Sequence, residues 1–247
     1  MNENLLSRPP VIRGATGSVR LRLLRFSLLA MTAWFLSPLS AQTTIAILNS
    51  SFEDPTLTVS PYYTTNGATD WTRTISTIPA GTFAPVLSAT TPAAIDGSQV
   101  GYANGSGGLQ QVLSATFAAN QLYTYSVYIG CRFDEVSGAQ ATGAITLGYL
   151  LSDTFTPLSS QSTLVSRGNF NFVTGSYTTT ELALGQPIVL QLTNLESFQV
   201  IFDQVQLSVT AVPEPAAFAC TLGAAALGIA WWRRRGRPRG SSAQAGA

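Results

Sequence analysis

The chain has 247 residues and all 13 of its basic side chains are arginine; with no histidine and no lysine it cannot build a Ser-His-Asp or Cys-His centre, a histidine-ligated zinc site or a Schiff-base lysine. Its formal net charge of +1 conceals a strong asymmetry: five arginines precede the first apolar run, five follow the last, and three lie between. Arg73, Arg132 and Arg167 face ten acids from Gln42 to Ala211, a net −7 that repels phosphate backbones and argues against nucleic acid as a partner.

Residues 1–41 have the order of a secretory signal peptide. Arg8, Arg13, Arg20, Arg22 and Arg25 come first, Phe26 to Leu36 is apolar, and "SPLSA" ends in small residues before Gln42, which places cleavage after Ala41. An apolar run of eleven residues is too short to span a hydrocarbon core of about 30 Å. Of the two cysteines, Cys131 falls in the exported body and Cys220 in the terminal apolar segment, so no disulfide is expected and Cys131 reads as a packed small side chain.

From Gln42 to Ala211 the sequence is rich in Thr, Ser, Gly, aromatic and β-branched residues without helical periodicity. The run "YTYSVYI" puts Tyr123, Tyr125, Val127 and Ile129 on one side and Thr124, Ser126 and Tyr128 on the other. Similar runs are "QVGYA", "GLQQVL", "AITLGYLL", "STLVS", "FNFVTGSY", "PIVLQLTNL" and "FQVIFDQVQLSV", separated by "NGSGG", "DEVSG" and "ELALGQ". Eight or more short strands with turns between them predict an all-β domain, an antiparallel β-sandwich.

"NSSFEDP" (Asn49 to Pro55), Trp71, "DGSQVGYANGSGGLQQ", "YTYSVYIGCR" and "FDQVQLSV" resemble the galactose-binding-like jelly rolls of extracellular proteins and carbohydrate-binding modules, over Ile45 to Val209. The resemblance implies that Glu53 and Asp203, from the opening and closing motifs, meet and hold a structural calcium, a hard cation that takes oxygen ligands. The competing reading gives both acids local hydrogen bonds in turns. A polysaccharide ligand would need an exposed aromatic platform beside polar groups, and Tyr62, Tyr63, Trp71, Arg73, Tyr102 and Arg132 are the candidates. Against this stands the alternative that Trp71 is core and the tyrosines cover sheet ends. The adjacent acids Asp134 and Glu135 point apart in a turn, unlike a glycosidase pair across a cleft.

The segment from Val212 to Arg239 has three parts. "VPEP" is a stiff spacer, Ala216 to Trp232 is a run of 17 uncharged residues predicting a single transmembrane helix, and Arg233, Arg234 and Arg235 open a basic stop-transfer cluster that leaves the acidic body outside. Pro213, Glu214 and Pro215 followed by a short apolar helix and arginines resemble the PEP-CTERM sorting signal of Gram-negative bacteria. That resemblance implies recognition by an exosortase, a membrane-embedded transpeptidase, and, by the family's association with biofilm exopolysaccharide, a place on the cell surface or in the matrix. Residues 240–247 read as a disordered tail. The functional expectation is therefore a non-catalytic exported surface protein whose jelly roll binds extracellular polysaccharide; the alternatives are a matrix or adhesion protein without a sugar site and a carboxylate-dependent glycan hydrolase.

Overall fold

A computed structural model describes residues 41–58, 62–85, 92–132, 137–196, 198–212, 223, 226–233 and 235. The signal peptide, the Pro213–Glu214–Pro215 motif, Arg234 and the tail lie outside the described residues. The described residues of the body form twelve strands: β1 (Thr43–Thr44), β2 (Asn66–Gly67), β3 (Thr72–Arg73), β4 (Ala80–Phe83), β5 (Val100–Ala103), β6 (Gly108–Thr116), β7 (Gln121–Cys131), β8 (Gln140–Leu151), β9 (Thr154–Ser166), β10 (Phe170–Thr178), β11 (Pro187–Asn194) and β12 (Val200–Ala211).

They form two sheets. One has the order β10-β7-β12-β5-β4-β2 with β1 added along β12; the other has the order β3-β6-β11-β8-β9. All pairings are antiparallel except β2 with β4. The predicted antiparallel sandwich is therefore what forms, a jelly roll with its core between the sheets.

Alternation explains the core. Tyr123, Tyr125, Val127, Ile129 and Cys131 on β7, Leu109 and Leu113 on β6, Ile145 and Leu147 on β8, and Ile188, Leu190 and Leu192 on β11 are all buried in one cluster. Cys131 is wholly buried in this cluster, a packed small side chain. Two departures from strict alternation matter. On β12 the pairing with β7 shifts register between Asp203 and Gln206, and Gln204 adopts φ +51°. This bulge re-phases the strand so that Phe202, Val205 and Leu207 all reach the core while Asp203 stays on the same face as Ile201. On the edge strand β9, Pro157 sits where the register against β8 shifts, a place where a missing N–H costs no ladder bond. The run "STLVS" singled out in the sequence covers only the C-terminal part of this strand.

The C-terminal segment is helical at 226–233, where the Arg235 guanidinium lies 3.9 Å over the Trp231 ring. Among the described residues no helix is long and apolar enough to cross a membrane.

Candidate functional site

The outward face of the seven-stranded sheet carries side chains that the core does not use. Cross-strand register aligns Tyr102 of β5 with Ile201 of β12, Ile201 with Gly130 of β7, and Gly130 with Phe170 of β10. The next row holds Asp203, Tyr128 and Phe172, and Phe83 of β4 lies opposite Val100. Phe83, Val100, Tyr102 and Ile201 form a second buried apolar cluster, with Ala94 and Phe170 packed against it. Gly130 leaves room for this packing, since a Cβ there would lie 2.7 Å from the Phe170 ring.

Tyr63 closes over the cluster. It bridges to Phe83, is 47% exposed, and meets Tyr102 edge-on with ring centroids 6.5 Å apart. The Tyr102 hydroxyl donates to the Thr64 carbonyl at 2.6 Å. Burial and then the neighbouring Tyr63 phenol push the Tyr102 pKa up to about 12, with the Arg73 charge pulling the other way, so this phenol stays protonated. Arg132 places its guanidinium 4.8 Å from the Phe83 ring centroid and donates to Gln199 Oε1 at 2.8 Å, and Gln199 donates onward to Asn104. An aromatic rim with an oriented cation suits a flat π-system.

Of the six sequence candidates, Tyr63, Tyr102 and Arg132 converge here through Phe83. Tyr62, 38% exposed, adjoins Tyr63, and its carbonyl accepts from the Ala84 amide. Arg73 belongs to β3 of the other sheet. Trp71 is corrected: it is 2% exposed inside the sandwich, 5.4 Å from the Phe52 ring, and its indole N–H donates to the Leu48 and Asn49 carbonyls at 3.2 Å. Such a large apolar area with a satisfied N–H belongs in the core, so Trp71 is no ligand platform. Sequence reasoning missed Phe83, Phe170 and Ile201. The available signal was "QVGYA", whose residues on both faces are buried, which means that both faces of β5 are covered.

Lower on the same face a groove of 570 Å³ runs between the 42–50 segment and β10. Its floor is mainly hydroxyls and amides, among them Thr124, Ser126, Thr174, Gln206 and Ser208, and Phe172 forms a wall.

Glu53 and Asp203 do meet one loop. Glu53 Oε1 accepts from the Ser98 and Gln99 amides at 2.8 and 2.7 Å, and Oε2 from the Ser98 hydroxyl. Its carboxylate packs on Gly97, whose φ of +75° and lack of Cβ admit it. Asp203, wholly buried, accepts from the Ile95, Asp96 and Gln204 amides at 2.6, 2.9 and 2.7 Å. Burial raises the Asp203 pKa to about 6, the three amide bonds oppose this, and the Asp96 carboxylate adds repulsion. Among the described residues no three His, Cys, Asp or Glu side chains cluster as a metal cage. Both acids thus act as acceptors for amides of the 95–99 loop, the local role that stood beside the calcium reading.

The fold is a jelly roll whose seven-stranded sheet carries an aromatic and arginine cluster on its outward face. A protein-family model for HpiC1-like cyclases ("HpiC1 cyclase") matches residues 43–208, and the chain belongs to that family. Among solved structures, the Stig cyclase Fisc from Fischerella sp. TAU, in complex with (3Z)-3-(1-methyl-2-pyrrolidinylidene)-3H-indole, is 24% identical with a TM-score of 0.60 over 70% of this chain and 100% of that one. A cyclase from Fischerella sp. TAU in complex with 4-(1H-indol-3-yl)butan-2-one is 25% identical with a TM-score of 0.57 over 70% of this chain and 100% of that one. The CBM22-1 xylan-binding domain of Paenibacillus barcinonensis Xyn10C overlays at 15% identity with a TM-score of 0.48 over 71% and 99% of the two chains, too loosely to carry a ligand across. No curated protein matches the sequence. The expectation of a non-catalytic protein is thereby corrected: the family that spans the whole body is one of cyclases. The sequence reading erred because a jelly roll looks alike whether it binds or catalyses.

Proposed function

We propose that this chain is an exported cyclase-family protein that takes a flat, indole-class aromatic ligand on the outward face of the seven-stranded sheet. The observation that carries this reading is the convergence of Tyr63, Phe83, Tyr102 and Arg132 on that face. Family membership and the indole-bearing ketone held by a 25% identical Fischerella cyclase support the ligand class. Ring closure within one molecule is promoted by holding its reacting ends in a fixed geometry, and an edge-presenting tyrosine with a guanidinium anchored through Gln199 provides fixed contacts for that. With histidine and lysine absent, proton transfer on this face would fall to carboxylates, phenols and water. The test is calorimetric titration of the chain with 4-(1H-indol-3-yl)butan-2-one. Losing one aromatic contact of about 1 kcal/mol in Tyr63→Ala should weaken binding about fivefold. A second ligand class fits the groove below, whose hydroxyl floor and Phe172 wall suit a sugar chain; titration with soluble polysaccharide against Phe172→Ala reads it, and no heat in either protein rejects it.

The loop junction is proposed to take calcium through Glu53 and Asp203, relieving the buried negative charge. Removing a ligand that binds only the folded state lowers stability, so EDTA should lower the melting temperature and added calcium restore it. An unchanged melt rejects the site.

Sorting is proposed to run through Pro213–Glu214–Pro215, with the apolar run and Arg233–Arg235 as the temporary anchor and an exosortase as partner. Mass spectrometry of the mature surface protein should then show a terminus lacking Trp231, Trp232 and the arginines. A mature chain that retains them contradicts processing.

A further inference from the structure

One end of the sandwich gathers the chain's exit and a set of exposed aliphatic side chains. The β6–β7 connection is its centre: the Phe117 amide donates to the Gln186 carbonyl at 3.0 Å, the Gly185 amide donates back to the Phe117 carbonyl, that of Thr179 to the Gln121 carbonyl, and that of Val212 to the Asn120 carbonyl at 2.8 Å. The loop from Thr179 to Gln186 and the last residue of the body therefore lie side by side. The Ser152–Asp153 turn shares this end, because Gly148 of β8 faces Val189 just inside the start of β11 at Pro187.

At this end Leu182 is 80% exposed, Leu151 57%, Leu184 48% and Val212 39%. Ala183, between the two leucines of the loop, is wholly buried in the core, so the turn is pinned and its leucines are held outward. An aliphatic side chain held at 80% exposure gains nothing for the fold of the body. Leu182 with the less exposed Leu151, Leu184 and Val212 makes an apolar end rimmed by the exposed acids Asp153 and Glu181.

Chain length says what covers it. Only Pro213, Glu214 and Pro215 separate Val212 from the uncharged run that starts at Ala216. Four Cα–Cα steps span at most about 14 Å fully extended, of which a headgroup layer takes about 5–8 Å, so this end of the body stays within about 6–9 Å of that layer. Val212 is tied to Asn120 by its own amide, so no slack is drawn from the body.

We propose that, while the chain is still joined to its terminal apolar segment, this end of the sandwich rests on the lipid headgroup layer, with Leu182, Leu184, Leu151 and Val212 in the interface. This rests on the reading of Ala216 to Trp232 as a membrane anchor. It adds a partner, the bilayer itself, and an orientation: the aromatic face and its groove run perpendicular to the membrane, open to the outside. Asp153 and Glu181 at the rim favour zwitterionic over anionic lipid.

The test uses the full chain with Cys220→Ser, reconstituted into phosphatidylcholine vesicles containing a lipid with a nitroxide at its headgroup, and a fluorophore attached at Leu182→Cys or, at the opposite end, at Leu195→Cys, whose native leucine is 56% exposed. Quenching several-fold stronger at 182 than at 195 is the expected result. Equal quenching, in chains that stay with the vesicles through an alkaline wash, overturns the docked end and leaves the anchor standing. Chains washed off the vesicles overturn the anchor and the docking together. A label at Leu151→Cys adds a second reading: in the Leu182→Gln, Leu184→Gln background its quenching should fall while the vesicle-bound fraction is unchanged, and undiminished quenching also overturns the proposal.

Discussion

Trp71→Ala is expected to destabilise the body by about 3–5 kcal/mol and to lower its melting temperature by roughly 10 °C. The indole is enclosed between the sheets against Phe52, and the mutation leaves a cavity that the surrounding strands cannot fill. It also removes the indole N–H from the Leu48 and Asn49 carbonyls, which keep only their bonds from Gln111 Nε2 and the Phe52 amide. Those carbonyls belong to the turn that places Phe52 and Glu53, so the loss spreads to the 95–99 loop. Thermal unfolding followed by circular dichroism measures it. A loss under about 1 kcal/mol would mean that Trp71 is not the core residue described, since exposed sites tolerate substitution at that level.

Asp203→Ala should be of comparable size. Three part-buried amides, those of Ile95, Asp96 and Gln204, lose an acceptor whose own side chain is wholly buried. Each buried unsatisfied donor costs about 1–3 kcal/mol, partly offset because the buried charge goes too. We expect a net loss of about 3 kcal/mol with the transition still cooperative. Asp203→Asn, which retains an acceptor oxygen, should lose less than half of that. If alanine and asparagine behave alike, the amide cradle is not what holds the loop. Run in EDTA, the comparison reads the cradle alone; run in calcium, it adds whatever the cation contributes.

How far the sequence spoke depends on which physical signal each element carries. Strand β7 was legible because Tyr123 to Ile129 alternate cleanly and one face is fully buried. Strand β12 was legible in place but not in phase, since the Gln204 bulge inverts the alternation and cannot be read from "FDQVQLSV". The two-residue strands β1, β2 and β3 are fixed by partners distant in sequence, such as Thr72 with Gln110, and carry no local period. At the site, Tyr63, Tyr102 and Arg132 were named as candidates, yet nothing in the sequence showed that Phe83 joins them. Which outer face a loop covers is a matter of tertiary topology. The same limit explains Trp71, whose aromatic character alone could not separate platform from core.

Function was legible in a different measure. The absence of histidine and lysine removed whole reaction classes and still stands, but it led to the expectation of no catalysis. Cyclisation needs positioning as much as it needs acid–base groups, so a chain poor in titratable side chains is not thereby a binding module. Family membership over residues 43–208 corrects this.

The central claim is that the aromatic and arginine cluster on the outward face is the ligand site. Isothermal titration of the full chain with 4-(1H-indol-3-yl)butan-2-one tests it most directly, with Tyr63→Ala and Leu195→Ala alongside. The account predicts saturable binding that weakens about fivefold in Tyr63→Ala and is unchanged in Leu195→Ala, because only the first removes an aromatic edge from the site. Saturable binding with equal affinity in all three proteins, or no binding in the unaltered chain, would contradict it.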